Sequence, residues 1–350
     1  MKTGITTDTS GSFSVTAVTS SDNTDTAGRH RTPDRRRWER TILADLKAEG
    51  LLPPRVTSAE AEALAQRAGL QQMGVRPPLG RYIQQVWERR SFIWNLSASR
   101  AYSRNQGSYL GQAWAVLRPV LDAAVYVIIF GFMFQSSAPG IDNRAAFITI
   151  GTFTYTLFQT SVMSGLNSIP TNLQLIRSHK FPRAVVPLAA VMTETVLFAP
   201  ILLAMIVVAM ITGLLPGMEP VPPTWSWVLL PFATVLLAIF SSGVALFFAR
   251  LGARAPDIAN ALPFFLTLGR YASGAMFLIP AVVPDSMWIK PILLHQPLAI
   301  FLELFRAAFG NEQQIPMTLS LWAEAVAWTV GVFVVGFIFF WRAEETYGRD

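Results

Sequence analysis

From residue 110 onward the sequence alternates long apolar runs with short polar punctuation; before residue 78 it does not. A helix needs about 20 apolar residues to cross a ~30 Å hydrocarbon layer. Six runs meet that length: Trp114–Phe134, Phe147–Ser168, Val185–Ile211, Trp227–Ala249, Ala261–Ile279 and Leu319–Trp341. The fifth holds Pro263, Arg270 and Gly274 and runs into Pro280, Pro284, Pro291 and Pro297, with the apolar piece LAIFLELFRAAFG behind them. That piece is too short to span and too apolar for a free loop. Irregular backbone at membrane depth survives only when buried in protein or lining a cavity, so residues 281–310 read as re-entrant or interfacial half-helices. The pattern predicts an all-α polytopic membrane protein with six transmembrane helices in residues 110–350.

Ahead of the spans, residues 79–109 contain LGRYIQQVWERRSFIW, where Leu79, Ile83, Val86, Trp87 and Trp94 recur near helical spacing with Arg81, Arg89 and Arg90 between them. An interfacial helix lying on an anionic leaflet needs that division into apolar and basic faces; a peptide-target helix or a plainly packed helix would show it too, and the spans that follow favour the membrane. Residues 1–32 are rich in Thr, Ser, Asp and Gly without the apolar stretch of a secretion signal, and read as a disordered cytoplasmic tail. In residues 33–78, Thr57 with Glu60 three positions on forms a capping box opening AEAEALAQRAG, predicting a helical arm, either a solvated one or a docking surface for another subunit.

Composition narrows the class. Only 14% of residues are charged and 52% are hydrophobic, against roughly 25% charged in soluble domains. Sixteen of the 28 Lys+Arg but ten of the 22 Asp+Glu lie in residues 1–109, so the whole formal charge of +6 sits there, and nothing points to nucleic acid as a partner. With no cysteine and three scattered histidines (His30, His179, His295), no thiol chemistry and no metal site is expected. The four lysines follow Met, Leu, His and Ile, so no Gly-Lys-[Ser/Thr] phosphate loop exists. HExxH, GxSxG and DDxxD clusters are missing as well, and the chain reads as a non-enzyme.

Basic residues flank alternate loops: the N-terminal region, the loop with Arg177, Lys180 and Arg183, the loop with Arg250 and Arg254, and the tail with Arg342 and Arg349. By the positive-inside rule both termini are cytoplasmic and the half-helices face outward, in the plasma (inner) membrane. Ionisable residues inside spans are functional candidates by default: here Asp122, Glu194, Arg270 and Glu324. Arg270 is expected either to pair with Glu194 or Asp122, or to meet an anionic ligand.

The entry segment YSRNQGSYLGQAWAVLRPVL, with Leu110, Gly111, Trp114, Leu117 and Pro119, resembles the lead into the first span of ABC-type polysaccharide export permeases, the type 2 exporters. NLQLIRSHKFPRAVVPLAAV is similar to that family's loop between spans two and three, and RAPDIANALPFFLTLGRYASGAMFLIP, PILLHQPLAIFLELFRAAFG and FWRAEETYGRD follow in the family's order, so the resemblance covers Pro78 to Asp350. Departures are Arg118 and Arg254–Ala255–Pro256, where many members carry Asn or Gln and an Arg-Tyr-Arg-Asp run.

The resemblance implies a homodimer of this chain driven by two copies of a separate ATP-binding ABC subunit, with ATP and Mg bound there and no cofactor in this chain. The substrate it implies is a polyprenyl-pyrophosphate-linked glycan, with cell-wall galactan precursors first and teichoic acid or O-antigen as alternatives. The ATPase-coupling loop would hold Asn172, Leu175, Ile176, Arg177, Lys180, Phe181, Pro182 and Arg183. Arg100, Arg104 and Arg118 would form a substrate entrance, since guanidinium forks match phosphate oxygens. Aromatic faces suit sugar rings, making Phe153, Tyr155, Phe158, Phe264, Phe265, Tyr271 and Phe277, with Arg270, candidates to line a channel. Rival classes are an ion-coupled carrier, which would show inverted repeats, and a membrane-embedded glycosyltransferase, which would need an acidic metal-holding cluster; neither feature is found in the sequence.

Overall fold

The computed structural model describes residues 77–345, apart from 105, 108, 112, 130–140, 142, 179–180, 215–217, 311–314 and 316. The expected tail (1–32) and nearly all of the expected arm (33–78) lie outside the described residues. Every described element is helical: α1 (Leu79–Glu88), α2 (Arg90–Ser103), α3 (Ala113–Val127), α4 (Arg144–Thr171), α5 (Leu173–Ser178), α6 (Val185–Thr212), α7 (Leu230–Arg254, entered through a 3-10 turn at Trp225–Leu229), α8 (Ile258–Ala272), α9 (Ile279–Val282), α10 (Lys290–Leu294), α11 (Pro297–Phe309) and α12 (Leu319–Trp341).

Among the described residues, three segments are both long and apolar enough to cross a membrane: Val185–Thr212, Trp225–Arg254 and Leu319–Trp341. Helix α4, at 28 residues, has the length, about 42 Å at 1.5 Å per residue, but carries many Thr and Ser. Several of their hydroxyls fold back onto carbonyls one turn earlier, as in Thr149 to Ala145 (2.7 Å), Thr156 to Thr152 (2.8 Å) and Thr171 to Asn167 (2.7 Å), whereas those of Thr152, Thr154, Ser161 and Ser168 are buried without a hydrogen-bond partner. Asn143 caps its start, accepting from the Ala146 N–H at 3.1 Å.

Helix α7 packs between α4 and α12, and α6 covers another side of α4. Small residues permit the close approach. A Cβ on Gly243 would lie 2.6 Å from the Phe333 Cα, and one on Gly252 would lie 2.6 Å from the Leu166 carbonyl oxygen. The core fills with Phe158, Phe198, Phe240, Phe301 and Phe305 from α4, α6, α7 and α11. Helices α2 and α3 lie on α6, and α8 meets α4 around Tyr155 and Gln159.

The fifth apolar run departs from expectation. It was expected as a span over Ala261–Ile279, yet α8 stops at Ala272 after 15 residues. Gly274 adopts φ +74°, a left-handed turn that ends the helix. The freed carbonyls of Gly274 and Ala275 accept from Arg306 Nη2 at 3.0 and 2.9 Å. Arg306, 2% exposed, sits on α11 with its guanidinium over the Phe147 ring. Helix α11 is almost wholly buried and, at 13 residues, too short to cross.

Candidate functional site

A polar cavity of about 500 Å³ opens between α2, α4 and α6. Its arginines come from the end of α2, where Arg100 and Arg104 stand four residues apart, the spacing that places two side chains on one helix face. Arg100 Nη2 donates to Asn172 Oδ1 at 2.5 Å, and Asn172 Nδ2 in turn donates to the Ser168 carbonyl at 2.7 Å. Burial pushes the Arg100 guanidinium below its ordinary pKa. Arg104 makes a fork with Glu194 of α6, Nη1 to Oε2 and Nη2 to Oε1, both 3.1 Å; Ser164 Oγ of α4 donates to Oε1 at 2.8 Å. The Ser168 hydroxyl also lines this cavity, buried and without a hydrogen-bond partner.

Two of the three expected entrance arginines therefore meet in one cavity. Arg118 does not join them: it is exposed on α3, one turn before the exposed Asp122. The expected pairing of Arg270 with Glu194 or Asp122 is overturned. Arg270 donates to Gln159 Oε1 at 2.5 Å and lies over the Tyr155 ring at 5.4 Å, whereas Glu194 belongs to Arg104. Glu324 pairs with His295 at 3.2 Å.

The aromatic set divides. Phe153, Tyr155 and Phe158 are buried in the packed core of the chain, Tyr155 donating to the Leu266 carbonyl at 2.6 Å. They face neighbouring helices, so within this chain they line no lumen. Phe264, Phe265 and Tyr271 are more than half exposed on α8, and Phe277 is half-buried after the break.

The loop with basic residues divides too. Arg177 is exposed and Leu175 half-buried on α5, while Ile176 and Pro182 are buried; Lys180 lies outside the described residues. Phe181 packs on Phe92 of α2 with ring centroids 5.9 Å apart. The Arg183 N–H donates to Glu344 Oε1 at 3.0 Å, and its guanidinium donates to the Glu344 carbonyl. Glu344 Oε2 accepts from Tyr82 Oη at 2.7 Å, and that hydroxyl accepts the Ala184 N–H at 3.0 Å. A node thus ties α1, the start of α6 and the chain after α12. Burial raises the Glu344 carboxyl above its ordinary pKa, opposed in part by the Arg183 and Tyr82 bonds.

In α1 the apolar positions lie along one side of the helix but differ in burial. Tyr82 is buried, with Leu79 and Val86 beside it, while Ile83, Trp87 and, on α2, Trp94 point outward. Sequence reasoning missed Tyr82, Glu344, Ser164 and Arg306; an arginine inside the apolar run LELFRAAFG was the one available signal. Among the described residues no group of three His, Asp or Glu side chains is placed to hold a metal.

A bundle of apolar helices with a short buried helix, α11, and a polar pocket beside an α2–α6 ion pair has the make-up of a membrane-embedded protein. The family model for ABC-2 type transporters matches residues 93–309, and the chain belongs to that family. It is 26% identical over 265 residues to the "O-antigen export system permease protein RfbA" of Myxococcus xanthus, covering 76% of this chain and 97% of the relative. A protein of the same name from Klebsiella pneumoniae is 27% identical over 208 residues (59% and 76%). The "Polysialic acid transport protein KpsM" of Escherichia coli is 25% identical over 202 residues (57% and 73%).

Proposed function

We propose that this chain is the permease subunit of an ATP-driven exporter that carries a lipid-linked cell-surface polysaccharide out across the plasma membrane. The observation that carries the reading is the cavity holding Arg100 and Arg104, ringed by Ser164, Asn167, Ser168, Asn172 and Thr193. Paired guanidinium groups with amide and hydroxyl donors suit a phosphate-bearing headgroup, and the permeases named among the relatives support a glycan as its cargo.

The arrangement follows from this. Two copies of the chain form the conduit and two ABC subunits, holding ATP and Mg, drive it. Six crossings are reached by adding to the three apolar spans α3 with Ile128 and Ile129, α4, and α8 together with the irregular stretch 273–278 that Arg306 braces, with both termini cytoplasmic. The exposed Arg118 and Asp122 on α3 then face water or the second copy, since a charge facing lipid is costly, while the exposed aromatics of α8 are at home against lipid or the second copy. Outward Ile83, Trp87 and Trp94 rest α1 and α2 on the membrane surface. Leu173, Gln174 and Arg177, exposed on and beside α5, are the groups free to touch the ATPase, with Phe181 and Arg183 bracing the loop from behind. A galactan precursor is the cargo favoured by the sequence resemblance, and an O-antigen is the second reading, favoured by the names of the relatives.

The test is Arg100→Lys with Arg104→Lys, which keeps charge and loses the planar fork. Export of the lipid-linked glycan should fall while membrane insertion and association with the ABC subunit stay normal. Full export by this double variant would refute the entrance reading.

A further inference from the structure

Glu194 is 7% exposed, ten residues into a long apolar helix, and it is matched to Arg104 with both oxygens while Ser164 holds one of them. The second arginine of the cavity, Arg100, bonds a neutral amide oxygen instead of an acid. The cavity thus holds two guanidinium groups and one internal anion, and a buried hydroxyl, Ser168, has no partner there. Carboxylate and phosphate offer a guanidinium the same two-oxygen edge, so Glu194 occupies the position on Arg104 that a phosphate would take. The same pair is a mechanical link, because Arg104 closes the end of α2 and Glu194 belongs to α6.

We propose that Glu194 is a resident competitor on Arg104, and that the diphosphate of a lipid-linked substrate displaces it, recruiting Arg104 beside Arg100 and releasing the end of α2 from α6. This rests on the entrance reading above. The exchange also discriminates by charge. A ligand with a single negative charge replaces one anion on Arg104 by another and gains little. A diphosphate, with at least two charges on adjacent phosphates, holds both arginines at once and outcompetes the carboxylate.

The full-length chain carries no cysteine, so Ser99→Cys, at an exposed position of α2, accepts one spin label. The labelled protein is placed in phosphatidylcholine nanodiscs and titrated with farnesyl diphosphate, reading affinity and label mobility together. Bound probe should increase mobility in the parent protein. Glu194→Gln, which keeps the shape and removes the charge, should bind the probe at least tenfold tighter and show a mobile label before any probe is added. Ser164→Ala, which loosens the carboxylate without touching its charge, should move both readouts severalfold in the same direction. If the parent binds and Glu194→Gln changes neither readout, the competitor role is overturned and the entrance reading stands. If neither protein binds the probe, the entrance reading falls and takes this inference with it. If phosphatidylglycerol nanodiscs alone free the label, a singly charged lipid headgroup is the occupant and the assignment to a diphosphate is overturned.

Discussion

Adding one methyl group at Gly336 should damage the bundle more than any other single-carbon change on α12. A Cβ there would sit 2.7 Å from the Gly243 carbonyl carbon, 3.0 Å from its Cα and nearer still to its oxygen, all backbone atoms of α7. The optimum separation of such atoms is about 3.5 Å or more, so α7 and α12 would have to part by about 1 Å. A gap of that size forfeits a quarter to a half of each contact's attraction along the seam, and this seam includes the Phe247 and Phe339 rings stacked at 4.6 Å. Overpacking in a filled core costs about 1–3 kcal/mol, and with only backbone to move the upper end applies, about 3 kcal/mol. For a body of this size that lowers the unfolding temperature by about 6–12 °C. Gly331 provides the control on the same helix: a Cβ there meets nothing within 4 Å. Gly331→Ala should therefore stay within about 0.5 kcal/mol of the parent or gain slightly from helix propensity. Thermal unfolding of both variants in the same detergent checks this, and Gly336→Ala as stable as Gly331→Ala would refute the close-packed seam.

Two further outcomes follow from single side chains. Burial raises the Glu344 carboxyl, so in the window between its unfolded and its higher folded pKa the native state binds the extra proton and stability falls as pH rises; the parent should gain stability relative to Glu344→Gln in thermal melts taken from pH 8 down to pH 5, and parallel melting profiles would contradict it. Tyr155→Phe keeps the ring under Arg270 and removes the bond to the Leu266 carbonyl, a loss of about 1 kcal/mol, so amide exchange across Ile258–Ala272 should quicken about fivefold with the rest of the bundle unchanged.

What was legible in the sequence depended on whether the deciding force was local. Leu319–Trp341 was read to the residue because a strongly apolar run, broken by Ser320, Glu324 and Thr329, lies between the capping Thr318 and Arg342, and the structure gives the same bounds. Phe147–Ser168 was read three residues short at each end, because Asn143 extends the start with a side-chain cap and Thr171 extends the finish by bonding back to Asn167. The run through Ala261–Ile279 was read too long, because what holds the break after Ala272 is Arg306, more than thirty residues away. The site divides by the same principle. That Arg100 and Arg104 would share a face follows from their spacing on one helix. That Arg104 would take Glu194 does not, since the two are 90 residues apart. Scarcity of charge in an apolar bundle requires that a buried acid find a partner, and Arg270 was the cation nearest the middle of a span. Which cation reaches it is fixed by how far α2 lies along α6, and that is set by Ser97 donating to the Ala189 carbonyl and by Phe92 resting on Phe181. Contacts between neutral and apolar groups thus choose the ion pair, and hydropathy, which ranks residues one at a time, contains no record of them.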